Sequence, residues 1–486
     1  MPLRPLIREL TWLFPPTLEE LLPMDHPARF AAAFVGTLDR ASWSEMEIAI
    51  DGDPLGAPAY DPRAVLCVWV YGFMTGVRSS RKLEAACRDQ IPYLWLTGWQ
   101  HPDHNTLWKF YQAHREQMRK LFKHTVRVAV KAGLVDLAVQ AVDGTKVKGN
   151  AAKERTYDQA NLEKLLERTE EAIKDLEAQN EGGTDPAPAR LPQQLAAAKA
   201  LQEQVAAALE AVTAEDGPKQ RNLTDPDAQL MKGRQGFVAG YNAQAMVSPL
   251  DAKAAGRTGL LITAADLSTE ADDHAALLPM IAQARENIRR EAEWTLADGG
   301  YHSGPNLVAC TDHETQVVMP EAQKRALANP YHKDAFSYDA KADAYQCPKG
   351  QVLPFVGTRR RKGREGIRVY RGTASVCRAC PAFGVCTKNR RHGRILEVGP
   401  EELVLRKHRS WMATEEAKAH YQHRKELPEP TFGILKEQQG ARGFLLRGLA
   451  AVRAEWLLLA TAFNLRTLYR VWQARAPTGR LALAGL

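Results

Sequence analysis

The sequence has no apolar run long enough to cross a bilayer. Its two best, "AVLCVWVYGFM" and "WLLLATAF", fall well short of the ~20 residues a spanning helix needs. The opening "MPLRPLIRELTWLFPP" lacks an apolar stretch followed by a cleavage site, so no secretory leader is expected. No tandem repeat is present, which argues against a solenoid or propeller. Cysteine is sparse until late in the chain. Cys67, Cys87 and Cys310 are scattered and read as core packing, and Cys67 and Cys87 have no His partner in a readable arrangement. That leaves a thiol nucleophile without support. The chain is expected to be soluble and cytoplasmic, with no membrane partner, no small-molecule substrate and reduced cysteines, which excludes a disulfide framework.

What is present is ordinary in bulk and uneven in detail. At 486 residues, 45% hydrophobic and 25% charged, there is room for roughly three domains with real cores. The formal charge of +8 conceals two opposite segments. Arg359 to Arg394 carries twelve Lys and Arg against one acid, Glu365, whereas Glu154 to Asp216 carries fourteen acids against six bases. The first suits a polyanion; the second reads as a solvated face.

Residues 1–135 read as helical. In "YDPRAVLCVWVYGFMTG", Asp61 is an N-cap, Pro62 takes the first helical position and a Gly ends the helix. Further on, Arg115, Arg119, Lys120, Lys123 and Arg127 make a basic helix face that suits either DNA ends or plain solvent. Residues 136–153 give the first strand of an α/β core, with Asp143 at its end. Residues 154–217 interrupt it. Leu162, Leu166, Ile173 and Leu176, then Leu195, Leu201, Val205 and Leu209, recur at helical spacing on either side of the breaker "EGGTDPAPARLP". This is an inserted helical hairpin. The core resumes over 218–334 with strands "GYNAQAMV", "GLLITAADL" and "QVVMP", an amphipathic helix, and the strand "EWTLADGGYHS" ending at Asp298. Residues 335–398 turn to Cys, Arg and Gly, and 399–475 return to helix.

Asp143 and Asp298 occupy matching places: each ends an apolar strand and each precedes Gly. Carboxylates on rigid strand ends suit a metal site, and two on neighbouring strands could bridge divalent ions. Each could equally cap a turn. A third acid, Glu429 in "YQHRKELPEPTFGILK", stands at the N-terminal edge of a helix that Pro430 would begin, with Glu426 and Glu437 as competitors. Lys436, two turns on, lies near the same helix face, and Tyr421 and Arg424 precede. An acid for metal and bases for phosphate suit a phosphodiester; a helix-dipole role for Glu429 is the alternative.

The last four cysteines cluster. Cys377-x-x-Cys380 is a metal knuckle, and with Cys386 and Cys347 it would make a closed tetrahedral zinc site, unless all four are unliganded thiols. His101-x-x-His104 is better explained by a helix cap at Asp103 or Asn105 than by a metal.

These blocks resemble the DDE transposases of bacterial insertion sequences, in the branch whose third block runs Tyr-x-x-Arg, Glu, six residues, Lys: here Tyr421, Arg424, Glu429 and Lys436. "AVDGTKVKGNA" and "TLADGGYHS" are similar to the first and second blocks. "YDPRAVLCVWVYGFMTGVRSSRKLEAACR", "PDHNTLWKF", "LMKGRQGFVAGYNAQAMV" and "GFLLRGLAAVRAEWLLLATAFNL" extend the resemblance over nearly the whole chain. Two departures stand out: one extra residue between Arg424 and Glu429, and Ser248 where an acid is usual. The resemblance implies an α/β fold with an RNase H-like core, a mixed sheet flanked by helices. To this are added an N-terminal all-α domain, the hairpin and a small zinc-ribbon-like insert. It implies that Asp143, Asp298 and Glu429 hold two Mg²⁺, with Mn²⁺ able to substitute. One ion would activate water or a DNA 3′-hydroxyl and the other would stabilise the leaving oxygen. Zn²⁺ would be structural. The partners implied are double-stranded DNA, as element ends and target, and a second copy of the chain. Tyr421, Arg424, Lys436 and Arg359, Arg360 and Arg361 would contact DNA. A domesticated nuclease and a non-catalytic zinc-containing DNA-binding protein are the competing readings.

Overall fold

The helix Pro62–Thr75 shows how the N-terminal region is built. Asp61 accepts a hydrogen bond from the Arg63 backbone N–H at 2.8 Å, Pro62 sits at the first turn, and Gly76, left-handed at φ 82°, ends the helix. Every residue from Val65 to Met74 is buried, as expected of a helix surrounded by others. It packs against the helices Pro27–Gly36 and Leu449–Arg475. In the computed structural model, residues 16–51, 59–181, 191–233, 236–321, 329–361 and 364–475 are described. The N-terminal helices and the sheet that follows share one continuous apolar core.

That sheet has six strands: β1 (Val139–Lys148), β4 (Gln229–Gly233), β5 (Gly236–Pro249), β6 (Leu260–Ser268), β7 (Trp294–Leu296) and β8 (Val317–Val318). Between β1 and β4 lie the short strands β2 (Thr156–Asp158) and β3 (Gln220–Asn222). The long β5 is antiparallel to β1 along one edge; β4 and β6 share its other edge, also antiparallel. On the far side of β1, β7 and then β8 run parallel to it. β1 is therefore central. Its Ala141 and Val142 are fully buried, so the strand is fixed by apolar packing on both faces. Helix Leu277–Ile288 and helix Leu449–Arg475 pack on β6, and the latter reaches on to helix Met118–Lys131 and Pro62–Thr75. One long apolar helix thus ties sheet to N-terminal bundle.

The acidic insertion forms the expected hairpin. Helices Gln159–Glu181 and Leu191–Thr213 pack on each other, and β2 and β3 close its base as an antiparallel pair. Leu162, Val205, Ala208 and Leu223 form a small core of their own. The Cys-rich segment forms a second sheet of β9 (Ser337–Asp339), β10 (Ala344–Gln346), β11 (Val352–Arg361), β12 (Arg364–Arg371) and β13 (Ile395–Val398), all antiparallel in the order β13-β12-β11-β10-β9. It packs around Phe336, Tyr345, Leu353, Tyr370 and Leu396. Among the described residues, no helix is long and apolar enough to cross a membrane.

Candidate active site

The parallel pairing of β1 and β7 sets the site. Ala141 lies opposite Leu296. Continuing that register by two residues brings Asp298, just past the end of β7, alongside Asp143. Each carboxylate accepts a hydrogen bond from the backbone of a glycine that follows it. Asp143 Oδ1 accepts from the Gly144 N–H at 2.9 Å, and Asp298 Oδ1 accepts from the Gly300 N–H at 2.8 Å. Gly144 belongs to β1 itself, so Asp143 lies within the strand and not at its end as the sequence suggested, because the pairing with β5 continues to Lys148; Asp298 lies just past β7, at the turn of Gly299 and Gly300.

Arg424 joins them. It sits in the 3-10 turn His423–Glu426, is buried, and its Nη2 lies 2.8 Å from Asp143 Oδ1 and 3.5 Å from Asp298 Oδ2. Burial pushes the Asp143 carboxyl up to about 6; Arg424 draws it down and the Asp298 charge adds to the rise. Tyr421, half-buried, stands near the same three groups, and burial raises its phenol above the ordinary range. It also lines a cavity of about 610 Å³ whose other walls include His302 and Arg409. Arg409 makes a two-pronged pair with Asp334 at 2.5 and 2.6 Å, which ties helix Glu402–Met412 to the start of the Cys-rich segment. Stacking of Trp294 on Trp411 at 5.4 Å and on His420 at 4.4 Å fixes the approach to the Arg424 turn from β7.

Glu429 lies in the first turn of helix Pro428–Glu437, which starts two residues earlier than Pro430 suggests. It is exposed. Lys436, on the same helix, donates to Thr145 Oγ1, two residues beyond Asp143 on the same face of β1. Seven residues separate Glu429 from Lys436, so both share one helix face, roughly 10 Å apart along the axis. The competing acids are engaged elsewhere: Glu426 with His423 at 3.0 Å and Glu437 with Arg442 at 2.5 Å. Asp143, Asp298, Arg424 and Tyr421 are thus brought together. Lys436 reaches β1 beside them, and Glu429 is exposed at the start of the same helix.

One residue at this centre escaped the sequence reading. Asp273, at the end of the loop after β6, places Oδ1 2.6 Å from Asn242 Nδ2, 2.7 Å from Gln244 Nε2 and 3.5 Å from Lys146 Nζ. "STEADDHA" reads only as an acidic loop, and nothing local in it selects Asp273.

Among the described residues, no group of three or more His, Cys, Asp or Glu side chains stands as a ready-made metal site. At the acids, the guanidinium of Arg424 supplies a positive charge between the two carboxylates. The donor set is all oxygen, which suits a hard divalent ion. The four late cysteines, all free thiols, line one small cavity of about 30 Å³. Backbone N–H groups of Lys349 and Gln351 point at Cys347 Sγ at 3.4 and 3.3 Å, and that of Arg394 at Cys377 Sγ at 3.4 Å. Such donors favour thiolates. Burial and the neighbouring thiols raise Cys386, with Arg394 opposing. The remaining cysteines are buried in the core. At the His101-x-x-His104 pair, Asp103 caps the helix through Thr106 N–H at 2.7 Å and His104 pairs with Glu84 at 2.7 Å. Arg359 and Arg361 lie on β11 and pair with Glu397, and Arg360 pairs with Glu365 at 3.3 Å.

Two protein families match the chain. The "Transposase DDE domain" family matches residues 346–469, and the "Transposase domain (DUF772)" family matches residues 16–113. The first stretch contains the four late cysteines, Tyr421, Arg424, Glu429 and Lys436; the second contains the helix Pro62–Thr75. Asp143 and Asp298 lie outside both. Together the two matches indicate a transposase of the DDE family. No curated protein matches the chain.

Proposed function

We propose that this chain is the transposase of a bacterial insertion sequence, with an RNase H-like core that cuts element ends and joins them to target DNA. The observation that carries the reading is the position of Arg424, which holds Asp143 and Asp298 at once. Three sequence blocks far apart in the chain meet there. The sheet supports an RNase H-like core: β1 is central, with antiparallel β5 and β6 on one side and parallel β7 and β8 on the other.

Asp143, Asp298 and Glu429 would hold magnesium, or manganese in its place, which would activate the attacking oxygen and stabilise the leaving oxygen of an in-line displacement at phosphorus. Arg424 and Lys436 bind phosphate oxygens, the arginine through a planar fork and the lysine as a point charge. Tyr421 walls the site beside them. The buried carboxyl of Asp143 must give up its proton before a cation binds. Glu429 completes the set from the start of its helix, and its exposure leaves it accessible to incoming DNA.

Cys347, Cys377, Cys380 and Cys386 would hold zinc, which would cross-link the second sheet. Four protein ligands leave no position for substrate, so that site is structural. Arg359, Arg360 and Arg361 on the adjoining hairpin serve the DNA backbone. The protein acts on double-stranded DNA as a dimer, because two element ends are held together.

The test is plasmid excision. A donor carries the gene's native flanking DNA around a marker, and the protein is supplied in trans as wild type or Asp298→Asn. Excision and reinsertion by the wild type alone is the expected result. Equal activity from both would show that the site is misassigned. Inactivity of both, with each soluble and bound to the flanks, would point to a repurposed protein.

A further inference from the structure

We infer that Asp273 is a fourth carboxylate of the metal-binding centre, which ligates the divalent cation alongside Asp143 and Asp298. The inference rests on the two-metal reading above and adds a residue to it.

Three observations converge. First, Asp273 is held with unusual care for a loop acid. Asn242 and Gln244, both buried on β5, direct side-chain amides at its Oδ1 from 2.6 and 2.7 Å, and Lys146 on β1 adds a charge at 3.5 Å. A second line holds Gln244 in turn, since Tyr301, fully buried just past Asp298, donates to Gln244 Oε1. All the donors go to one oxygen. The other, Oδ2, accepts no hydrogen bond among the described residues.

Second, Oδ2 faces the same place as Asp298. A methyl group built on Gly300 would stand 2.8 Å from Asp298 Oδ1 and 3.4 Å from Asp273 Oδ2. One built on Gly144 would stand 2.6 Å from Asp273 Oδ1. The two glycines that follow the other acids therefore form a cradle around the Asp273 carboxylate, and any side chain at either would fill it.

Third, one buried acceptor beside the carboxylates has no donor. Asn242 is fully buried, its Oδ1 has no hydrogen-bond partner, and this atom lies 3.0 Å from the methyl position on Gly144. A buried acceptor left unsatisfied is costly. A hydrated cation beside Asp273 supplies the missing donors through its water shell, and it supplies the positive charge that three neighbouring carboxylates call for.

The experiment uses the full-length protein and measures binding of Mn²⁺ by the loss of the free-ion EPR signal, beside Mg²⁺-dependent nicking of duplex DNA that carries the native flanks. Wild type, Asp143→Asn, Asp298→Asn and Asp273→Asn are compared. The expected result is at least tenfold weaker Mn²⁺ binding by Asp273→Asn, and a matching rise in the Mg²⁺ concentration for half-maximal nicking. Should Asp273→Asn unfold, Asp273→Glu takes its place. It keeps the charge but moves the carboxylate by one methylene, and it too should bind Mn²⁺ more weakly. If Asp143→Asn and Asp298→Asn lose Mn²⁺ while the folded Asp273 variant binds it as wild type does, the role of Asp273 is overturned and the two-metal reading stands. A wild type that binds no Mn²⁺ at this site overturns both.

Discussion

Gly144→Ala should be far more damaging than a one-methyl change on a strand suggests. Glycine within a strand ordinarily costs about 0.5–1 kcal/mol relative to alanine, so the substitution would stabilise if space allowed. Space does not allow it. The new methyl would stand 2.4 Å from Gln244 Nε2 and 2.6 Å from Asp273 Oδ1, distances that Cβ atoms do not tolerate. Both contacts are side-chain ends, so the amide and the carboxylate are pushed apart and β1 stays in place. What is lost is the pair of hydrogen bonds to the Asp273 carboxylate from Asn242 and Gln244. Bonds to a charged group contribute about 1.5–3 kcal/mol each. After the gain in backbone entropy, the net loss is about 2–5 kcal/mol. Equilibrium unfolding in urea measures it, with Trp456, whose indole N–H donates to the Gln244 carbonyl at 3.0 Å, reporting on the right place. Gly36→Ala is the control: it ends a helix, has ordinary backbone angles, and a methyl there meets nothing within 4 Å. It should be neutral or slightly stabilising. A Gly144→Ala protein that unfolds at or above the wild-type urea concentration would refute the reasoning.

Three further outcomes follow from other parts of the molecule. Mn²⁺ affinity should fall as pH drops through about 6, where the buried Asp143 carboxyl takes up its proton; a flat binding profile between pH 5 and pH 7.5 would contradict this. Because that value lies above the one for an unfolded aspartate, the metal-free chain binds the proton more tightly when folded, so this group adds stability as pH falls from about 6 toward about 4. Arg78→Met should cost about 3–5 kcal/mol, since it strands the buried Glu455, which Arg78 meets at 3.0 Å at the junction of N-terminal helices and C-terminal helix. Thermal unfolding would show it as a large drop in midpoint. Cys380→Ser should abolish bound zinc, read by elemental analysis, and open the segment 335–398 to proteolysis while the six-stranded sheet stays folded; wild-type protein purified with no zinc would sink the assignment.

Local signals were legible because their causes are local. Asp61 and Asp103 cap helices through N–H groups two and three residues away. Asp143 and Asp298 could be picked out because each follows an apolar strand segment and precedes glycine, although only Asp298 stands at a turn and Gly144 continues β1. The inserted hairpin was legible from two periodic runs around one breaker. Asp273 was hidden for the opposite reason. Its partners lie on β1 and β5, and the glycines that make room for it belong to two other blocks. The shared core was hidden in the same way, because helix Leu449–Arg475 is apolar nearly all round and its sequence does not say which neighbours cover it.

The basic segment shows why counting charges is only a first step. Twelve Lys and Arg against one acid between Arg359 and Arg394 suggested a segment suited to a polyanion. In the folded chain, that one acid and two from outside the window, Asp343 and Glu397, pair with its arginines. Glu397 pairs with Arg359 and Arg361, Glu365 with Arg360, and Asp343 with Arg368. Arg368 also lies over the rings of Phe355 at 4.7 Å and Tyr370 at 5.8 Å. Exposed ion pairs of this kind contribute little to stability and weaken in salt. They hold the arginines in an ordered row along the hairpin at small cost. On the DNA-binding reading proposed above, a phosphate backbone, with a denser negative charge than one glutamate, would take these arginines over without unfolding what presents them. On the reading proposed above, these pairs would act as place-holders, as Arg424 would between Asp143 and Asp298. At both places the free chain satisfies its charges internally.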